Sequence, residues 1–265
     1  MYRIVLILLF FSTFAFSITT ITVTYPVQQY FVEKIAVNKV YVRTVYENLI
    51  KFNPDDRIVL NRLSSSKYYF IFNLKEEIKF KKLFLSKNSN ITTINLTEGI
   101  EKIKNEDGDN PYVWMDPLLV RKIAKNIYQQ LVVAQKEDEE FFKENYEKFL
   151  KELDELYLEM RDNLLNSETY GFLAYSDCWD YLALRFRLKV YKNEYKYLNI
   201  NEIPDFIRFA RKENLKKILI QKDRSYEIAQ SLAGHIGAKI IEHNIFGHEW
   251  RSNLFMLTRK LARRI

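Results

Sequence analysis

From about Asp138 to Asn163, apolar side chains return at steps of three and four, at Phe142, Tyr146, Phe149, Leu153, Leu156 and Met160, with Leu164 continuing the series. That period places them on one face of an α-helix and on no single face of a strand. Acidic residues from Glu137 to Glu140 stand in the first turn, where the exposed backbone amides favour negative charge. At 1.5 Å per residue the helix is a rod of roughly 40 Å, long enough to run the length of a domain. A rod of that length with one apolar face must be covered by the rest of the chain, which it divides into two halves.

Each half alternates strand-like and helix-like segments. In the first, Thr20 to Thr24 alternates as a strand, and Pro26 opens a helix whose face is Val27, Tyr30, Phe31 and Ile35. Val40 to Arg43 is a second strand, and a helix-like piece begins near Pro54. The strand Tyr68 to Phe72 follows, then a short basic and apolar segment, then the strand Ile91 to Ile94. Residues 105–112 are polar, carry Gly108 and Pro111, and mark a loop. Asp116-Pro117 is a strong helix start, because Asp accepts otherwise unpaired amides and Pro lacks one, and that helix runs to about Ala134. The second half repeats the pattern with strands at Gly171 to Tyr175, Leu188 to Tyr191, Lys217 to Gln221 and Ala238 to Glu242. Helices are expected from Asp177, around Pro204 to Arg211, from Ser225 to Ile236 with Gly237 as its stop, and from His248 onward. The fold class predicted is α/β, with two lobes, each a mainly parallel sheet flanked by helices, joined by one long linking helix. The boundaries are 18–135 for the N-terminal lobe, 136–165 for the linking helix and 166–265 for the C-terminal lobe. Ligands in such lobes bind at the carboxyl ends of the strands, here facing each other across a cleft.

Ahead of the first lobe, Arg3 precedes an apolar run from Ile4 to Phe11 that continues to Phe16, and Ala15-Phe16-Ser17 offers small residues for a signal peptidase. The run is shorter than the ~20 residues a bilayer core requires. Residues 1–17 therefore read as a cleavable secretory signal, and the absence of a cysteine near the cut predicts a soluble, periplasmic chain without a lipid anchor. Cys178 is the only cysteine, which excludes an intramolecular disulfide framework. The formal charge is +7, but acids are interleaved with lysines and arginines nearly throughout, and export argues against a nucleic-acid partner. The cluster Arg259, Lys260, Arg263 and Arg264 reads as cations complementing the end of a terminal helix.

The segment Asn110-Pro-Tyr-Val-Trp-Met-Asp-Pro117, followed by its helix, resembles the Asp-Pro-His-Val-Trp-Leu-Asp-Pro stretch of the zinc and manganese solute-binding proteins of bacterial ABC importers. Weaker matches at Thr24 to Ala36, Leu173 to Leu188 and Gly237 to Trp250 arrive in the same order. The resemblance implies an extracytoplasmic receptor that captures a small solute or metal ion between two lobes. It further implies a permease and an ATPase as partners, with the receptor itself a monomer. Such receptors hold the ion with three histidines and a carboxylate, donors suited to these metals. In this chain the matching positions hold Tyr112, Ser176 and Asn244, the last if Glu242-His-Asn-Ile-Phe246 is matched to Glu-x-Asp-Pro-Leu. A remaining family histidine belongs to the region of residues 43–54, and this chain has no histidine before His235. Neutral tyrosine, serine and amide are far poorer donors to a divalent ion than imidazole and carboxylate. The expected cleft is therefore hydrogen-bonding and uncharged, with Trp114 and Trp179 as apolar walls and no resident cofactor. Zinc or manganese would need a different ligand set, for which Asp177, Cys178, Glu242 and His243 are the candidates. Strand alternation opposes Glu242 to His243.

The alternative reading is a degenerate paralogue that acts as a binding or interaction protein without a transporter. An enzyme is not expected: there is no Gly-x-Ser-x-Gly, no His-Glu-x-x-His and no glycine-rich phosphate loop. Cys178 reads as a small buried apolar residue, His235 as a cap at a helix C-terminus and His248 as exposed.

Overall fold

The computed structural model describes residues 18–47, 52–105, 108–165, 167, 169–174, 176–192, 203–222 and 227–263. The expected signal at residues 1–17, the strand-end Tyr175, the expected helix start at Ser225 and Arg264 lie outside them.

The first lobe runs β1 (Thr19–Val23), α1 (Pro26–Ala36), β2 (Val40–Thr44), α2 (Arg57–Ser64), β3 (Tyr68–Ile71), α3 (Lys75–Lys87) and β4 (Thr92–Asn95). A two-stranded ribbon, β5 (Lys104–Asn105) and β6 (Gly108–Asp109), occupies the segment expected to be loop. Then come α4 (Pro117–Ala134) and the linking helix α5 (Glu139–Leu165). The second lobe contains β7 (Gly171–Ala174), α6 (Asp180–Phe186), β8 (Lys189–Lys192), α7 (Ile203–Lys212), β9 (Lys217–Gln221), α8 (Glu227–Ile236), β10 (Lys239–His243) and α9 (Trp250–Ala262).

Local chemistry accounts for several boundaries. Asp116 accepts from the Leu118 amide at 2.9 Å and Pro117 opens α4, as the sequence predicts. Gly237 has φ +65°, the left-handed conformation that ends α8 without a Cβ penalty. Two helix starts are corrected. A 3-10 turn at Asp177–Trp179, capped by Ser176, delays α6 to Asp180, and α9 begins at Trp250 because residues 244–249 form the connection out of β10. The basic stretch left without an element before β4 is α3.

Both four-stranded sheets are parallel, in the orders β2-β1-β3-β4 and β10-β9-β7-β8. Counted from the first strand of each lobe, the two orders are the same topology. Apolar residues of α5 at Phe142, Phe149, Leu153, Leu156, Met160 and Leu164 are buried, and Tyr146 stacks on Tyr128 with centroids 5.0 Å apart. The helix packs on α4, α1 and α9, so the main core is continuous from the first lobe to the second. Two satellite cores sit under the outer helices: one beneath α2 and α3, the other beneath α7 and α8.

Candidate functional site

In each sheet the strand order reverses between the first and third strands of its lobe, and the crevice at the carboxyl ends of those two strands is where an α/β sheet offers polar backbone to a ligand. In the first lobe the crevice lies past Val23 and Ile71. Gln28 Oε1 accepts from the Thr24 and Tyr25 amides at 2.9 and 2.8 Å, and Glu77 Oε2 accepts from Phe72 and Leu74 at 2.9 and 2.8 Å. Gln28 Nε2 donates to Glu77 Oε1 at 2.8 Å, and Thr24 Oγ1 meets the Tyr69 hydroxyl at 2.6 Å. This network supplies acceptors for amides that the ending strands leave unpaired. Glu77 is fully buried, and burial pushes its carboxyl up to about 7 although the amides pull the other way.

The matching crevice of the second lobe lies between the ends of β7 and β9. Gln221 reaches across it to the Cys178 thiol, and Ser176 Oγ lies 2.6 Å from the same sulfur. Cys178 is buried. Gln221 and His243 are register partners on adjacent strands. His243 is 5 % exposed, and its Nδ1 accepts from Trp179 Nε1 at 3.2 Å. The ring is therefore neutral with its proton on Nε2, a buried atom with no hydrogen-bond partner among the described residues. Burial, helped by the charge of Lys260, holds this imidazole down to about 3.

Between the lobes the dominant group is aromatic. Phe246, on the connection after β10, stacks on Tyr25 with centroids 4.0 Å apart and lies 6.4 Å from Tyr112 and 5.8 Å from Trp114. Tyr25 and Tyr46 both donate to Glu76, and both phenols are raised, chiefly by burial and then by that carboxylate. The connection is fastened by its backbone as well: Val27 N donates to Phe246 O at 3.0 Å and Trp114 Nε1 to Ile245 O at 2.9 Å. At the opposite margin Asn110 Nδ2 donates to Asp177 O at 2.8 Å and to Asp180 Oδ2 at 3.0 Å, and Arg185 pairs with Asp116 at 2.7 Å.

The expected site residues are therefore placed as follows. Tyr112 is half-buried against Trp114 and Phe246, and Asn244 Oδ1 accepts from the Phe246 amide at 3.2 Å, so Phe246 joins these two positions. Asn244 also lines an open depression with Lys222, Glu242, His248, Asn253 and Lys260. Ser176 belongs to the second-lobe crevice. Trp114 and Trp179 are fully buried, so they form the floor beneath the cleft rather than its walls. Glu242 is exposed while His243 is buried, as the two-residue period of a strand requires. Among the described residues no group of three or more His, Cys, Asp or Glu side chains could hold a metal ion. Asp177 Oδ2 instead accepts from Asn105 at 2.7 Å. His235 Nδ1 lies 2.7 Å from Ser231 O, one turn back inside α8. His248 is only partly exposed, because its Nε2 meets Glu33 Oε2 of α1 at 2.7 Å and ties the lobes together. Sequence reasoning passed over Gln28, Glu77, Gln221 and Phe246, and only Phe246 stood beside a residue already singled out.

The geometry agrees with comparisons to known proteins. Over 136 residues the chain is 27% identical to the high-affinity zinc uptake system protein ZnuA of Bacillus subtilis (strain 168), a match covering 49% of this chain and 42% of that protein. The chain thus aligns with less than half the length of that curated relative. A crystal structure of ZnuA superposes with a TM-score of 0.83 at 25% identity, covering 93% of this chain and 98% of that one. The periplasmic zinc-binding protein TroA from Treponema pallidum shares the fold, with a TM-score of 0.77 at 14% identity over 93% of this chain and 98% of that one. The family model described as ZnuA, zinc-uptake complex component A periplasmic, matches residues 21–258, from the first strand through most of the last helix, and the chain belongs to that family.

Proposed function

We propose that the chain is the extracytoplasmic receptor of an ABC importer, capturing a solute between its lobes and delivering it to a membrane permease driven by an ATPase. The observation that carries this reading is the family match over residues 21–258, which takes in both lobes and the linking helix. The work is capture and release, with no bond made or broken. Among the described residues no helix is long and apolar enough to cross a membrane. With residues 1–17 removed as a secretory signal, the receptor works in the periplasm as a monomer.

Tyr112, Ser176 and Asn244 define the cargo-facing positions by resemblance to the family. They offer neutral oxygen and amide groups, which suit a small polar solute better than a tightly held zinc or manganese ion. The continuous core and the rod α5 favour small closing motions over a wide hinge. The test uses membrane vesicles carrying a candidate permease and ATPase from the same genome, to which the purified chain is added with a panel of divalent metals and small polar solutes. Stimulated ATP hydrolysis with one polar solute is expected. No stimulation by any of them would sink the receptor reading. Elemental analysis showing about one zinc or manganese per purified chain would overturn the cargo assignment alone; loss of that ion in Cys178→Ala or His243→Ala would place it with the second-lobe candidates.

A further inference from the structure

We propose that the outer α2/α3 layer of the first lobe is a docking face for an anionic lipid surface. These helices pack on each other and turn Leu60, Leu63, Phe80 and Phe84 inward to their own satellite core. Their outward face is cationic. Lys75, Lys79 and Lys82 recur at steps of four and three along α3 and are all exposed, as are Arg57 and Arg62 of α2. Lys67, Lys81 and Lys87 bring the cations of this layer to eight.

The eight cations outnumber the exposed carboxylates of the layer, which are Asp55, Asp56 and Glu76. Glu77 is buried, Asp56 is turned to its own helix start by accepting from the Ile58 and Val59 amides, and Glu76 is turned to the two tyrosine hydroxyls. None of the eight cations enters an ion pair among the described residues. On other faces of the molecule several cations are paired, Lys34 with Glu152, Lys39 with Asp138, Arg121 with Asp154 and Arg251 with Glu159, all within 3.0 Å. The same face exposes Ile58 to 83 %, one turn from Arg62, and Leu85 to 37 %. Unpaired cations with long apolar stems around an exposed aliphatic side chain fit the headgroup boundary of a bilayer, which accepts both charge and apolar insertion. An acidic protein surface would use the charge and leave Ile58 without a role. The inference rests on the extracytoplasmic reading for where the chain meets a membrane; its consequence is a search for the permease confined near two dimensions.

The experiment is co-sedimentation of the chain beginning at Ile18 with vesicles of phosphatidylcholine alone or mixed with phosphatidylglycerol. Binding to the mixed vesicles only, lost at high salt, is expected. Each lysine near such a surface contributes about fivefold in affinity, so Lys75→Gln, Lys79→Gln and Lys82→Gln together should weaken binding by roughly a hundredfold. The control, Lys143→Gln, Lys148→Gln and Lys151→Gln on α5, changes net charge equally and should leave binding within about twofold. Ile58→Ser should weaken binding without changing its salt dependence. Equal losses in both triple variants, or no binding to the mixed vesicles at low salt, would overturn the proposal. So would loss of ATPase stimulation in the α3 triple variant with vesicle binding intact, which would point to a protein partner. Vesicle binding is read without cargo, so its failure is distinct from failure of the receptor reading.

Discussion

Glu77 makes the stability of the first lobe depend on pH in a direction opposite to most carboxylates. Its folded-state pKa is raised from 4.5 to about 7. Between those values the folded chain holds a proton that the unfolded chain has released, so stability falls as pH rises through this window and is level above it. The gap is worth about 3 kcal/mol, the free energy of placing an ionised carboxylate under Gln28 rather than in water. The perturbation is Glu77→Gln, read by urea unfolding at pH 5 and pH 8. The substituted amide must set its NH2 against that of Gln28, whose Oε1 is held by the Thr24 and Tyr25 amides. Relative to the protonated wild type the variant is therefore less stable by about 1–3 kcal/mol. What identifies the titration is the slope: wild-type stability minus variant stability should fall by about 2.5 kcal/mol from pH 5 to pH 8, whatever its starting value. Parallel profiles, or a difference that rises with pH, would refute the assignment of a proton to Glu77 in the folded state.

His243 should act in the opposite sense. Its pKa is depressed from 6.5 to about 3, so the unfolded chain gains a proton first as pH falls, and stability drops across that range. His243→Gln keeps an acceptor for Trp179 and should lose about 3 kcal/mol less than wild type between pH 6.5 and 4 in urea unfolding; identical acid slopes would show that the imidazole is already charged in the fold. Phe246→Ala removes a half-buried ring and its stack on Tyr25, at a cost of about 2–3 kcal/mol. For a chain of this size calorimetry should find the midpoint lower by about 5–10 °C, and a change below about 1 °C would mean the ring does not fasten the lobes.

The readable and unreadable parts of this chain differ in physical range. Asp116-Pro117 was legible because a cap and the helix it starts lie within two residues of each other, and α5 because its period is repeated over seven positions. The opposition of Glu242 to His243 followed from strand geometry alone. Helix α3 was not legible: it begins at Leu74 without a Ser, Thr, Asp or Asn cap, and Glu77 serves instead by accepting the Leu74 amide from three residues on. Its apolar face was also obscured by adjacent Leu83, Phe84 and Leu85. The polar network at the first crevice joins Gln28 to Glu77 across 49 residues, a separation at which no local pattern operates. Phe246 shows the same limit in the site. The resemblance directed attention to Asn244 as a donor position, while what touches Tyr25, Tyr112 and Trp114 is the ring two residues later. The lobes meet through the Phe246 stack on Tyr25, the backbone carbonyls of Ile245 and Phe246, and the His248–Glu33 pair. A variant that loosens Phe246 should therefore change how the lobes meet, because the same ring contacts Tyr25, Tyr112 and Trp114.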